Sequence, residues 1–181
     1  MLDFSKNYFE LFGLPVAFEV DGAELASCYR DLQRVVHPDR YASVTEQEKR
    51  LSMQSSTHLN DALDTLQRPL SRAKYMLELQ GVDLAVGAGS ISDGDFLMEQ
   101  MELREELADV KGQVDPYAAL ANLMKRIDAD TQGLLKDIGE QLELSSPESL
   151  EQAKETVNKL QFLSRISAQV EELEADLDEA L

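Results

Sequence analysis

The sequence predicts an all-α protein in which an N-terminal helical hairpin with flanking helices is followed by a C-terminal antiparallel three-helix bundle. Ala, Leu, Glu, Gln, Met and Lys, most of which favour helices, dominate nearly every segment. No stretch shows the sustained alternation of apolar and polar residues that is typical of a half-buried strand. Helix-start signals recur along the chain, each an acidic or hydroxyl residue before an apolar run or a proline at a first helical position.

Two helices are predicted before the first central loop. A short helix runs from about Tyr8 to Leu11 and ends near Gly13, which permits a left-handed backbone. The second helix begins at Asp21, whose carboxylate can accept hydrogen bonds from free backbone amides, and Glu24 completes a capping-box-like pattern. It ends before Pro38, because proline cannot continue a helix.

The second helix has two chemically different faces. On a helical wheel Arg30 and Arg34 lie on one side, which we expect to be exposed. The apolar residues gather on the opposite side, which we expect to be core: Leu25, Cys28, Tyr29, Leu32, Val35 and Val36.

A third and a fourth helix follow the loop. The third opens at Thr45, with Glu48 at the capping-box position, and runs to about Leu66. Pro69 begins the fourth, since proline is well suited to a first helical turn. The inner face of the third helix is predicted to hold Leu51, Leu59, Ala62, Leu63 and Leu66.

The C-terminal part is predicted to contain three longer helices after a glycine-rich connection, Gly81 to Gly94. They cover about Asp95 to Lys111, Asp115 to about Leu144, and Ser146 almost to Leu181. Short connections between these helices imply antiparallel neighbours. The predicted boundaries are therefore residues 1–80 for the first domain, 81–94 for a linker and 95–181 for the bundle.

Composition and charge exclude several classes of function. The net charge of −18 argues against nucleic acid and anionic membranes as partners. Residues 1–76 hold 9 basic and 11 acidic side chains, whereas residues 77–181 hold 8 and 24, so the two parts are expected to have different partners. The single cysteine, Cys28, allows no internal disulfide or Cys-based zinc site. No secretory signal is evident, and we expect a soluble protein in a reducing cytoplasm, without metal or cofactor.

The tripeptide His37-Pro38-Asp39 stands where the second helix must end. Pro38 places its two neighbours at a helix end and in the following loop, where their polar groups can face solvent. Taken alone, the tripeptide is compatible with a purely structural role, because histidine suits a helix C-terminus and Pro-Asp commonly opens a turn. Its position between two amphipathic helices, beside Arg30 and Arg34 and before Arg40, favours a function.

These residues resemble the J-domain family over about residues 6–76. The matching segments are residues 8–14 (YFELFGL), 32–34 (LQR), 59–66 (LNDALDTL) and 72–75 (RAKY). The resemblance implies that His37, Pro38 and Asp39 engage a heat-shock ATPase chaperone and promote ATP hydrolysis there. It also implies that Arg30, Arg34 and Arg40 meet an acidic surface of that chaperone, which charge complementarity would select.

The helix beginning near Asp95 carries two apolar sets. Phe96, Leu103, Leu107 and Val110 make a sufficient core stripe. A second set, Leu97, Met98 and Met101, lies on the other side with Glu105, and Glu102 and Arg104 flank it. This second set is either an exposed partner site rimmed by charge or a face packed against the first domain or the fourth helix. The residues alone do not decide between these two interpretations.

Residues 96–106 (FLMEQMELREE) closely resemble the corresponding helix of the HscB family, the J-proteins of iron–sulfur cluster assembly, and residues 159–163 (KLQFL) extend the match. The resemblance implies that the bundle holds an IscU-type scaffold protein and presents it to an HscA-type ATPase chaperone. The positions that match the scaffold-binding surface are Leu97, Met98, Met101, Glu102, Arg104, Glu105 and Phe162. Phe162 is either a core residue or an exposed anchor, and we favour the anchor.

Three other functions are alternatives to this one. A general J-protein for unfolded clients would commonly carry a zinc-bearing or β-rich client domain, which this sequence lacks. An enzyme using His37 and Asp39 would need further convergent polar groups, and the second histidine, His58, falls in the middle of the third helix, where a structural or solvent-facing role is expected. The third rival is a helical adaptor that stimulates no ATPase.

Overall fold

The computed structural model describes residues 3–36, 45–84 and 93–179, and all regular structure within them is helical, as the sequence predicts. Two compact units divide the chain, Met1–Met76 and Leu77–Leu181. In chain order the α-helices are α1 (Tyr8–Phe12), α2 (Gly22–Val36), α3 (Glu46–Gln67), α4 (Pro69–Leu79), α5 (Gly94–Asp109), α6 (Pro116–Leu144) and α7 (Pro147–Glu179). Within the described residues, no helix combines the length and the apolar character needed to cross a membrane.

The predicted helix caps of the first unit form as expected. The Asp21 carboxylate accepts hydrogen bonds from the backbone amides of Ala23 and Glu24, at 2.8 and 3.2 Å, and so caps α2. Thr45 and Glu48 make a reciprocal capping box at the start of α3. Gly13 ends α1 in the left-handed region, at φ 71°, where a residue with a side chain is disfavoured.

Helices α2 and α3 run antiparallel. The Ser52 hydroxyl, near the start of α3, donates a hydrogen bond to the carbonyl of Val36 at the end of α2, at 2.6 Å. The Tyr29 hydroxyl, in the middle of α2, donates to the Asn60 side chain farther along α3, at 2.9 Å. The order of these contacts confirms the predicted hairpin. The buried apolar residues of this unit are Phe9, Leu11, Phe12, Leu14, Phe18, Leu25, Val36, Leu59, Ala62, Leu66, Ala73 and Met76.

Two features of the hairpin core differ from the sequence prediction. Val35 was expected in the core but is 49% exposed, because it lies about 80° around the helix from the buried Leu25 while Val36 lies nearly in line with it. On α3, the small polar residues Ser52 and Ser55 are buried at positions in register with Leu59. Leu51 and Leu63, which were predicted for the inner face, are half-buried.

Aromatic rings make further contacts in the first unit. Tyr8 of α1 stacks on Tyr75 of α4, with ring centroids 4.5 Å apart, and its backbone amide donates to the Tyr75 hydroxyl at 2.9 Å. His58 packs against the rings of Phe4 and Tyr8, at 5.2 and 5.4 Å between centroids. Of the two roles expected for His58, structural or solvent-facing, this packing supports the structural one.

The second unit contains the three predicted long helices. The hydroxyl of Tyr117, at the start of α6, donates to Asp178 near the end of α7, and Thr156 of α7 donates to Gln141 near the end of α6, so these two helices are antiparallel. Helix α5 packs against the first half of α6 and the second half of α7. The residues buried between these helices form one cluster: Phe96, Leu103, Val110, Leu120, Leu123, Ile127, Phe162, Leu163, Ile166 and Val170.

Candidate partner-binding surfaces

The exposed side of α2 presents two guanidinium groups, those of Arg30 and Arg34, one helical turn apart. Arg34 forms an ion pair with Asp31 at 3.2 Å, and both side chains are largely exposed, so this pair contributes little to stability. The face therefore remains basic and accessible, as predicted. The other residues of this predicted site, His37, Pro38, Asp39 and Arg40, lie outside the described residues.

Two hydroxyl groups hold the C-terminal end of α2. Val36 is the last described residue of this helix, and its carbonyl accepts a hydrogen bond from Ser52 at 2.6 Å and one from Ser56 at 3.4 Å. These two bonds tie the described end of α2 to α3. The apolar pattern of α3 did not predict this role, although a serine within the apolar stripe was an available signal.

The second candidate surface lies on α5. Leu97, Met98 and Met101 are 46%, 63% and 62% exposed, whereas Phe96 and Leu103 on the same helix are buried. Within the second unit, the three side chains of the second apolar set are therefore exposed and not packed. Large apolar side chains grouped on one helix face, next to charged residues, are characteristic of a protein-binding site. We call Leu97, Met98 and Met101 the α5 surface.

Acidic and basic side chains border the α5 surface. Glu102, Arg104 and Glu105 are all exposed on the same side of the helix. On the neighbouring helix α6, Arg126 forms an ion pair with Glu106 at 2.7 Å and a longer one with Glu102 at 3.9 Å. An open groove of about 370 Å³ continues from this border, and its acidic lining consists of Glu102, Glu105, Glu106 and Asp109.

Phe162 is a core residue rather than the exposed anchor that was favoured. Its side chain is only 7% exposed, because the edge of its ring packs against Phe96, with centroids 5.8 Å apart. The guanidinium of Arg104 covers the ring at 5.2 Å from its centroid, in cation–π geometry. Phe162 therefore supports Arg104 from below, and the exposed group at this point of the surface is the arginine.

Sequence reasoning missed a polar contact where α5 begins. The Asp93 carboxylate caps the helix by accepting hydrogen bonds from the amides of Asp95 and Phe96, both at 3.1 Å, and it also accepts one from the Lys159 ammonium of α7 at 2.5 Å. The bond from Lys159 and that from Phe96 hold the pKa of Asp93 below its ordinary value. An aspartate three residues before Phe96 was an available signal for the cap, but its partner 66 residues away was not.

Known proteins resemble both units. A family model described as the HscB C-terminal oligomerisation domain matches residues 92–171. The co-chaperone protein HscB homolog of Pseudoalteromonas atlantica is 43% identical over 91% of this chain and 94% of its own length. The homolog from Shewanella loihica is 40% identical over 93% and 97%.

Solved structures agree with these relatives. The chaperone HscB from Vibrio cholerae is 41% identical, with a TM-score of 0.84 over 95% of this chain and 99% of that one. The human co-chaperone protein HscB is 32% identical, with a TM-score of 0.86 over 95% and 84%. Jac1 from Saccharomyces cerevisiae is 26% identical, with a TM-score of 0.72 over 94% and 95%.

The two bacterial relatives match this chain over nearly its full length and are named co-chaperones, and the solved HscB structures share its fold, so the class of protein is a co-chaperone. The family is equally well defined, since the two bacterial relatives are at least 40% identical over more than nine tenths of the chain. The chain belongs to the HscB family.

Proposed function

We propose that this co-chaperone stimulates ATP hydrolysis by an HscA-type heat-shock ATPase and delivers an IscU-type scaffold protein to it during iron–sulfur cluster assembly. The observation that carries the proposal is the exposure of Leu97, Met98 and Met101 on a helix whose opposite face packs into the core through Phe96 and Leu103. A monomer gains nothing by displaying such residues together, whereas a dedicated client can bury them.

The two units have different roles in this proposal. The α5 surface holds the scaffold, with Glu102, Arg104 and Glu105 making polar contacts around the apolar centre. Phe162 contributes indirectly, by supporting the Arg104 guanidinium. On the other unit, His37, Pro38 and Asp39 stimulate the ATPase, while Arg30, Arg34 and Arg40 meet its acidic surface. The hydrolysis takes place on the ATPase, so this protein acts as a regulator and not as an enzyme.

We further propose that the protein works in the bacterial cytoplasm. The 43% and 40% identical relatives are bacterial. Its single cysteine, Cys28, is free, and a chain without disulfides suits a reducing compartment.

Steady-state ATP turnover by purified HscA tests the proposal. We expect this protein to raise turnover, and to raise it further when IscU is present, since a bound client completes the assembly. The His37→Gln variant should lose the stimulation in both conditions while still binding IscU. Equal stimulation by the variant and the unsubstituted protein would contradict the assigned role of His37.

A second set of reactions distinguishes the dedicated function from a general one. IscU is replaced by a reduced, permanently unfolded model protein at the same concentration. A dedicated co-chaperone should show the additional stimulation with IscU only. The same additional stimulation with the unfolded protein would favour a general J-protein, and no stimulation in any reaction would favour an adaptor.

A further inference from the structure

The α5 surface begins within one turn of the helix start, so its geometry depends on how that start is held. Asp93 provides three hydrogen bonds there. Its carboxylate accepts from the amides of Asp95 and Phe96, and its backbone carbonyl accepts from the amide of Leu97 at 3.1 Å. Leu97, the first residue of the α5 surface, is therefore hydrogen-bonded directly to the capping residue.

Lys159 links this capped turn to α7. Its ammonium donates to the other oxygen of the Asp93 carboxylate at 2.5 Å, and its side chain is only 20% exposed. The same ammonium lies 5.2 Å from the centroid of the Phe96 ring, in cation–π geometry. A partly buried ion pair of this kind is screened by salt less than an exposed one.

The contact continues beneath the surface. The Phe96 and Phe162 rings pack at an interplanar angle of 85°, and the Phe162 ring lies under the guanidinium of Arg104. One row of side chains thus runs from Lys159 through two rings to Arg104. The row connects the helix start to the polar border of the α5 surface.

We propose that Asp93 and Lys159 are positioning residues for the scaffold: their ion pair holds the first turn of α5 against α7 and so presents Leu97 and Met98 in one fixed arrangement. The inference rests on the proposed function, because it assigns a role in scaffold binding. Neither residue needs to touch the scaffold. When the pair is lost, the first turn opens part of the time, and apparent affinity falls by the fraction of molecules that remain competent.

Four substitutions distinguish the contribution of the ion pair to scaffold binding from that of the helix cap. Asp93→Ser keeps a capping hydroxyl but removes the charge, whereas Asp93→Ala removes both. Lys159→Met keeps the aliphatic stem without the ammonium, and Lys159→Arg keeps a cation that can reach both Asp93 and Phe96. Binding of purified IscU is measured by titration calorimetry and by association and dissociation kinetics.

We expect Lys159→Met and Asp93→Ser each to weaken IscU binding about three- to tenfold, chiefly through slower association, because fewer free molecules have an ordered first turn. Their combination should be no weaker than either one, since both remove the same pair. Asp93→Ala should be weaker still, and Lys159→Arg should bind nearly as well as the unsubstituted protein. A purely stabilising role would not predict an effect confined to association.

Hydrogen exchange tests, without the scaffold, whether the Asp93–Lys159 ion pair holds the first turn of α5. The amides of Phe96 and Leu97 should exchange faster in Lys159→Met than in the unsubstituted protein, while the amide of the buried Leu103 should not change. If IscU fails to bind the unsubstituted protein, the proposed function is wrong, yet the exchange result still stands. If IscU binds and all four variants bind equally, or if exchange at Phe96 and Leu97 is unchanged, the positioning role is overturned.

Discussion

The exposed side of α2 and the exposed side of α5 have opposite chemistry. Helix α2 displays Arg30 and Arg34 in a unit whose residues carry almost no net charge, whereas α5 displays Leu97, Met98 and Met101 in a unit that is strongly acidic. A charged face acts mainly through association rate and choice of partner, while an apolar face contributes affinity by burial. Under the proposed function, the α2 face should therefore make a fast, salt-dependent contact and the α5 surface a longer-lived one.

Removing the apolar side chains of α5 should have the largest effect. The triple substitution Leu97→Ala/Met98→Ala/Met101→Ala is expected to weaken IscU binding by about 100-fold, because central apolar anchors account for much of the energy of an interface. The fold should remain intact, since none of the three side chains is buried. Titration calorimetry measures the affinity, and circular dichroism checks the helix content.

Met53 provides a matched control for this experiment, because at 62% it is as exposed as Met101 but lies on α3. Met53→Ala should bind IscU normally. An unchanged affinity in the folded triple variant would contradict the assignment of the α5 surface as the scaffold site.

Neutralising the basic side of α2 should have a smaller effect of a different kind. The variant Arg30→Gln/Arg34→Gln is expected to slow association with HscA about tenfold at low salt and to make the rate less dependent on salt. Binding of IscU should not change. Stopped-flow association kinetics at several salt concentrations measures both quantities.

A charge-matched control uses Lys125→Gln/Lys136→Gln, which changes the net charge equally at exposed positions on α6. If this control slows HscA association as much as the arginine variant, then overall charge is responsible and α2 is not a specific site.

Much of the architecture follows from local sequence signals. The starts of α2 and α3, and the proline-marked starts of α4, α6 and α7, lie within a residue or two of their predicted positions, because caps and prolines act through neighbouring backbone groups. The second apolar set on α5 was recognised for a similar reason, since helical periodicity separates it from the core stripe, but the residues alone left open whether it is exposed or packed. These are properties of single helices.

The errors arose where a side chain's environment is set by another helix. Phe162 lies at the edge of its apolar stripe, and only the positions of Phe96 and Arg104 on α5 make it a buried residue. The ion pair between Asp93 and Lys159 joins residues that are distant in sequence, so no local pattern marks it. Helical periodicity gives the angle of a side chain on its own helix but not what lies opposite.

The hydroxyl that holds the end of α2 offers a test of stability in the first unit. Ser52→Ala should lower the free energy of unfolding of this unit by about 1 kcal/mol, because the buried carbonyl of Val36 loses its shorter hydrogen bond. Ser56→Ala, which removes only the 3.4 Å contact, should change it by less than about 0.5 kcal/mol. Urea denaturation of both variants measures the two losses in free energy of unfolding. Equal losses would show that the shorter bond does not stabilise the unit more than the longer one.

The smallest expected effect is on the titration of the Asp93 carboxylate at the start of α5. The Lys159 ammonium lowers the pKa of Asp93 in the folded protein, so the pair's contribution is fully present above the unfolded-state pKa of about 3.9 and is lost only as pH falls through the lower folded value. Between pH 7 and pH 5 the helix start should therefore remain capped and clamped. Carboxyl-carbon chemical shifts of Asp93, followed by NMR, should give a lower titration midpoint in the unsubstituted protein than in Lys159→Met. Identical midpoints would show that the lysine does not stabilise the ionised carboxylate. The start of α5 would then not be held by an ion pair, and the contrast with the salt-sensitive face of α2 would rest on the apolar side chains alone.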